Sequence, residues 1–297
     1  TTDWYGVVVF NNSPGAPSGS YVLRVSEPPV PLASAVCQSW NTSPRMFSVA
    51  QTNTYWTGVA VNPISYDDKD ISVYGDPGGA GAPLASSTGN LTDFVVGDFN
   101  HNAPGTYYPR VSYGGASAAY VTEWEGGADV ITVGVDVNGS VGGGSGNCGL
   151  IQVSDVYLTG GQDYRFYLQS SGGADIRMSL FRNPSNGTYW AGRTAAEFEV
   201  GSADGRTYTA PVSDWYGVVV FNNSPDAPAG DYIMHVREAA IALADGVCQT
   251  SSPSSQWFSF TQAAPYWSVI AVNPIGTESK ALAVYDNPDG LQGLLAF

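Results

Sequence analysis

Residues 3–12 read DWYGVVVFNN, and residues 214–223 read DWYGVVVFNN again. An identity of this kind at an offset of 211 residues marks an internal repeat, and the rest of the chain is read from it. The offset persists: Tyr21 matches Tyr232, Cys37 matches Cys248, and Tyr55-Trp56 matches Tyr266-Trp267. Asn62-Pro63 recurs as Asn273-Pro274, and the Asp76-Pro77-Gly78 turn is echoed by Asp289-Gly290. Residues 1–86 are thus a diverged copy of residues 212–297.

A period of 211 residues is too long for a solenoid unit and suits two sandwich domains of about 100 residues each. The segment 28–36 carries Pro28, Pro29 and Pro31, which exclude a helix interior, so it and its counterpart 239–247 read as extended linkers. The expected organisation is then the closing strands of a B-type sandwich (1–27), a complete A-type sandwich (37–126), a complete B-type sandwich (129–238) and the opening half of a second A (248–297). Under this reading the chain begins and ends in mid-domain.

Short alternating segments punctuated by Gly, Pro, Asn and Asp recur along the chain, as in an all-β sandwich. In 232–236, Tyr232, Met234 and Val236 share one face and Ile233 and His235 the other. The copy places Tyr21, Leu23 and Val25 inward, with Val22 and Arg24 outward. In the B region, DVYLTGGQDYRFYLQSSGGADIRMSLF (155–181) is followed by DWYGVVVFNNSPDAPAGDYIMHV (214–236). Together these resemble the bacterial pre-peptidase C-terminal (PPC) domain. The A region is similar in KDISVYGDPGG (69–79) and PGTYYPRVSYGGASAAYVTEW (104–124). The resemblance implies tandem antiparallel jelly-roll-like β-sandwiches of a secreted protein, and it implies no catalytic residue.

Hydrophobic residues make up 43% of the chain, enough for a packed core and against disorder. The apolar runs, such as Val7-Val8-Val9-Phe10, are far too short to span a bilayer. With 26 acidic against 11 basic side chains, the net charge of -15 makes nucleic acid or anionic lipid a poor partner.

No constellation for catalysis stands out. His235 occupies the position of Arg24 and reads as a surface base; His101, in FNHNAPG (99–105), reads as a solvated loop residue without zinc-ligand spacing. No Gly-x-Ser-x-Gly elbow is present. Asp67, Asp68 and Asp70 offer oxygen ligands for a structural calcium, the one metal expectation, with a solvated turn as the plainer reading. Asn11, Asn41, Asn90, Asn138, Asn186 and Asn222 lie in glycosylation sequons.

Two further expectations concern association. Each period carries one Cys per domain type, so Cys37 is expected to pair with Cys148, leaving Cys248 for a partner outside the chain; Cys148 with Cys248 is the alternative. Aligning 107–113 of A with 215–221 of B puts Trp215, Val219 and Phe221 inward. Tyr216, Val218 and Val220, with their copies Tyr5, Val7 and Val9, then form an apolar outer stripe to be covered by another strand, domain or subunit.

The functional expectation is a non-enzymatic extracellular structural protein: a filament, surface-layer or adhesive-stalk subunit. Residues 1–27 of one copy would complete residues 255–297 of the next by strand complementation, giving a head-to-tail homopolymer. The alternative is a set of polysaccharide-binding or accessory sandwiches of a secreted hydrolase, with exposed aromatics on surface glycan.

Overall fold

The computed structural model describes residues 6–11, 15, 19–21, 23, 27–41, 43–64, 68–89, 92–113, 119–127, 129–142, 149–171, 173–223, 228–248, 257–262, 269–272, 280–285 and 294–296. The fold is all-β. The A sandwich contains β1 (Val30–Pro31), β2 (Gln38–Trp40), β3 (Arg45–Gln51), β4 (Trp56–Pro63), β5 (Lys69–Tyr74), β6 (Ala85–Ser87), β7 (Asp93–Asp98), β8 (Gly105–Tyr113) and β9 (Tyr120–Glu125). The B region follows with β10 (Asp129–Ile131), β11 (Val137–Val141), β12 (Ile151–Leu158), β13 (Asp163–Ser170), β14 (Ile176–Phe181) and β15 (Trp190–Gly192). It continues with a 3-10 turn at Arg193–Ala195, then β16 (Phe198–Gly201), β17 (Asp204–Thr209), β18 (Asp214–Asn222) and β19 (Gly230–Glu238). Beyond it lie β20 (Ile241–Ala242), β21 (Phe258–Ser259), β22 (Val284–Tyr285) and β23 (Leu294–Ala296). Among the described residues no helix is long and apolar enough to cross a membrane.

The two sandwiches have the same strand order, position by position. The first sheet of A runs β1-β3-β8-β5-β6 and that of B runs β10-β12-β18-β14-β16. The second sheet of A contains β7-β4-β9-β2 and that of B β17-β13-β19-β11. Even the one parallel pairing recurs, β1 on β3 in A and β10 on β12 in B. Alternation explains the inner faces: Ile71 and Val73 of β5 are buried in A, and Tyr232, Met234 and Val236 of β19 are buried in B, as the sequence pattern requires.

The repeat is visible in the strand register. Val30 and Pro31 pair with Phe47 and Ser48, and 211 residues later Ile241 and Ala242 pair with Phe258 and Ser259. Likewise Val73 pairs with Ala85, and Val284 with Ala296.

The structure corrects three sequence readings. The segment 28–36 is extended but is no free linker: β1 sits on the edge of the first A sheet, and Leu32 is buried in the A core. Its counterpart likewise contributes β20 to a parallel pair with β21. Strand β15 lies within the B region, yet it pairs antiparallel with β7 and so belongs to the second A sheet. The inner and outer stripes of β18 are also reversed. Tyr216, Val218 and Val220 point into the core of the B sandwich, while Val219 and Phe221 face away from it. Both stripes of DWYGVVVFN are apolar, so no alternation fixed the register, and a slip of one residue exchanges every side chain between faces.

Candidate interaction site between the sandwiches

The outward stripe of β18 packs against A. Its Val219 and Phe221, with Ile151 and Val153 of β12 and Phe181 of β14, share one hydrophobic cluster with Trp56 and Ala60 of β4, Phe94 and Val96 of β7 and Val121 of β9. The first sheet of B therefore lies on the second sheet of A. Two glycines allow the close approach. A Cβ on Gly217 would stand 2.5 Å from the Trp56 ring, and one on Gly58 would stand 2.8 Å from Ile151. Fully buried Trp56 also meets Tyr189 edge-on at 5.9 Å, and Phe94 packs on Phe221 at 4.9 Å.

Polar groups trapped in the seam are paired across it. The Asp155 carboxylate accepts the Trp56 backbone N–H at 2.8 Å and the Asn100 amide at 2.8 Å. Burial, the dominant cause, pushes Asp155 up to about 6 against these two hydrogen bonds. Glu123 of β9 accepts the Leu150 N–H at 2.5 Å, and burial raises its carboxyl as well. Glu125 is pushed up to about 7 by burial first and then by the neighbouring Glu123 and Asp129 charges. At the other end, Arg193 donates to Glu199 of B, to the Thr92 carbonyl of A at 3.2 Å and to Asn223 at 2.6 Å.

His101 is no isolated loop residue. Its Nδ1 lies 2.6 Å from fully buried Asp98 and its Nε2 3.4 Å from Asp214, so it bridges the end of β7 to the start of β18. Asp98 also accepts the Asn183 amide at 2.9 Å. His235 is not a surface base either: it is buried, with Nδ1 2.5 Å from Asp136, which also takes Arg237 at 3.0 Å. Sequence reasoning missed both clusters because Asp214 and Asp136 lie remote in the chain, and Asp98, three residues before His101, was passed over.

The acidic site shifts by one member. Asp68 and Asp70 meet Asp93 of β7, with their carboxylate oxygens within 4.8 Å of one another, while Asp67 lies outside the described residues. Asp93 accepts Ser87 Oγ at 2.6 Å and the Gly89 N–H at 2.9 Å. Burial, and then the neighbouring carboxylates, raise Asp70 and Asp93. Such an oxygen set is of the kind hard cations take.

Of the sequons, Asn11, Asn41, Asn138 and Asn186 are exposed and Asn90 lies outside the described residues. Asn222 is excluded as a glycan acceptor, because its side chain is buried and its amide donates to the Pro228 carbonyl at 3.0 Å. Cys148 lies outside the described residues. Cys37 is half-buried one residue ahead of β2, and Cys248 is exposed. A shallow polar groove crosses the outer sheet of B, lined in part by Asn138, Gln169, Asp231 and Tyr232.

The expected copy of the β18 stripe behaves differently from β18 itself. Val8 is 80% and Phe10 73% exposed, whereas Val219 and Phe221 are fully buried. Val7 and Val9 are exposed as well, and Tyr5 lies outside the described residues.

No family model matches the chain, and no curated protein matches it. Among solved structures, the chain is similar to the 1.0 Å crystal structure of the pre-peptidase C-terminal domain of a collagenase from Bacillus anthracis. The identity is 14%, the match covers 36% of this chain and 92% of that one, and the TM-score is 0.29. The all-β sandwich architecture rests on the chain's own strand order.

Proposed function

We propose that this protein is a non-enzymatic extracellular structural subunit that polymerises head to tail, as a filament, surface layer or adhesive stalk. Copies are joined when residues 1–27 of one complete the sheet begun by residues 255–297 of the next. The observation that carries the reading is the contrast between identical sequences: Val7 to Phe10 lie open to solvent, while Val218 to Phe221 are buried on both faces of a central strand. An exposed stretch with the composition of a central strand lowers its free energy by finding a sheet.

The strand order supports the pairing. Within A, β8 lies between β3 and β5; within B, β18 holds the same place between β12 and β14. Strands β21 and β22 repeat the positions of β3 and β5, between which A places β8. Residues 6–11 have the sequence of β18 and suit that central place. Val269 and Phe260 nearby are exposed, whereas Val49, the counterpart of Phe260, is fully buried in A.

Electron microscopy of the purified protein tests the reading. Regular polymers are expected, and a Val7→Asp/Val9→Asp variant is expected to remain as discrete particles. Discrete particles for the unmodified chain, together with binding on a glycan array, would replace this reading with that of an accessory polysaccharide-binding protein.

A further inference from the structure

Each sandwich has two sheets, and so two faces that look away from its core. The second sheet of A and the first sheet of B cover each other in the seam. The second sheet of B is met by the segment that follows it: Arg237 of β19 lies over the Trp257 ring at 4.8 Å, and Trp257 packs on Tyr285 of β22 at 5.5 Å. The outward side of the first A sheet stays half-exposed. Met46, Ser72, Tyr74, Tyr108 and Arg110 share that side, since Met46 and Ser72 both pair with Arg110 and Tyr74 pairs with Tyr108. Their neighbours Phe47, Ile71, Val73 and Val111 point into the core.

The repeat shows what such a face receives. By the 211-residue offset, Trp257 and Tyr285 are the counterparts of Met46 and Tyr74. The face that β19 meets in the second A region is therefore the face left open in the first.

The first A region has its own β19-like segment. Residues 19–27 read GSYVLRVSE, and β19 reads GDYIMHVRE. Two residues, 28–29, separate this segment from β1, just as 239–240 separate β19 from β20. Strands β1 and β20 then take the same edge place, parallel to β3 and β21. The chain thus enters both A regions by a path of equal length. Glu27 already lies 3.8 Å from Arg45, the residue before Met46.

We infer that the outward face of the first A sheet, centred on Tyr74 and Tyr108, is the docking surface for residues 19–27 of the same chain, once these are paired with residues 255–297 of a neighbouring copy. Period two turns Tyr21, Leu23 and Val25 into the completed sandwich and leaves Val22 and Arg24 for the open face. Arg24 then meets the tyrosine rings as Arg237 meets Trp257. Pairing has to come first, because an isolated strand leaves its backbone groups and its inner stripe uncovered: Tyr21 is 66% and Leu23 55% exposed. The inference rests on the polymer reading above. It adds that every joint between sandwiches is of one kind, a second sheet upon a first, which propagates in one direction.

The test uses the full chain, with a photo-crosslinking phenylalanine analogue in place of Tyr108 and polymers assembled from isotopically light and heavy copies. Illumination is expected to link this position to the peptide of residues 19–27 carrying the same label, in polymers and not in dilute protein. An Arg24→Glu variant, which leaves A untouched, is expected to need about tenfold more protein to assemble, with the melting temperature of the dilute chain unchanged. A Tyr74→Ser/Tyr108→Ser variant should show the same shift from the other side of the contact. Polymers in which the Tyr108 position captures no peptide of residues 19–27, or captures it only with the opposite label, would overturn the docking face and leave strand complementation standing. Undiminished assembly of both variants would do the same. An unmodified chain that forms no polymer would overturn both.

Discussion

Gly6 to Phe10 and Gly217 to Phe221 have the same sequence and opposite surroundings. Val8 lies open to solvent and Val219 is sealed between two sandwiches. The residues cannot account for the difference. What differs is the company: β18 has β12 on one side, β14 on the other, the B core beneath it and Trp56 above it. Burial of a β-strand is a property of the sheet that receives it, which is why the open copy reads as a strand in search of a sheet.

The sharpest way to break the comparison is to place a charge in both copies. Val218→Asp puts a carboxylate in the closed B core and is expected to cost more than about 4 kcal/mol, abolishing cooperative unfolding of B. Val7→Asp is expected to change the stability of the isolated chain by no more than about 0.5 kcal/mol while preventing polymerisation. Denaturant titration of dilute protein separates the two. Equal destabilisation would show that residues 6–11 pack within their own chain.

The second prediction applies the comparison to the cysteines. Cys37 lies just before the pairing of Gln38 with Thr122, next to Glu123, and Glu123 holds the Leu150 N–H two residues from Cys148. A Cys37–Cys148 bond would close a loop of about 110 residues and stabilise by about 4–5 kcal/mol on the chain-entropy account. Peptide mapping without reductant should find that pair linked and Cys248 alkylated. A linked Cys148–Cys248 pair would refute the assignment.

The sequence was most legible where one face is wet. Ile71 and Val73 flank a polar Ser72, and Tyr232, Met234 and Val236 alternate with Ile233 and His235, so their inward direction follows from period two. It was least legible where both faces are dry: β18 has no polar stripe, and its faces were read in reverse. Contacts made across the sequence were hidden for a different reason. Asp93 joins Asp68 and Asp70 from another strand, Asp214 reaches His101 from the other sandwich, and β15 leaves the B sandwich for A. Local pattern sets which way a side chain points; it carries no information on which distant strand arrives opposite.

The third prediction uses pH, because the seam buries carboxylates that exposed strands do not. A carboxyl whose folded value is raised binds its proton more tightly in the folded chain. Its contribution is present at low pH and is lost as pH rises through the folded value. For Asp155 the window runs from about 4 to about 6, and Glu125 extends it to about 7. Asp155 alone corresponds to about 3 kcal/mol across that window. Asp175 and Glu199 act in the opposite sense, their carboxyls held low by arginine partners that outweigh burial, so their contribution fades only under stronger acid. Stability should therefore fall from mildly acidic to neutral pH, and Asp155→Asn should flatten the fall. A profile that rises across this range would contradict the buried, charge-penalised seam.

The mildest prediction returns to the repeated glycine. A methyl group on Gly217 meets the Trp56 ring at 2.5 Å, so either the ring or the β18 backbone must move. A rigid indole at 0% exposure has no open direction, and overpacking of this kind costs about 1–3 kcal/mol. The strain falls on the seam rather than on the B core, because Gly217 faces A. Gly217→Ala should therefore separate the melting of the two sandwiches before it unfolds either. At Gly6 an added methyl meets nothing within 4 Å, so Gly6→Ala should leave the dilute chain unchanged. If residues 6–11 enter a neighbouring copy as β18 enters its own sheets, with a tryptophan over the glycine, the same methyl becomes intolerable on assembly. Gly6→Ala would then lower the polymer yield without touching the monomer. An unchanged yield would mean that the open copy is covered in some way other than β18.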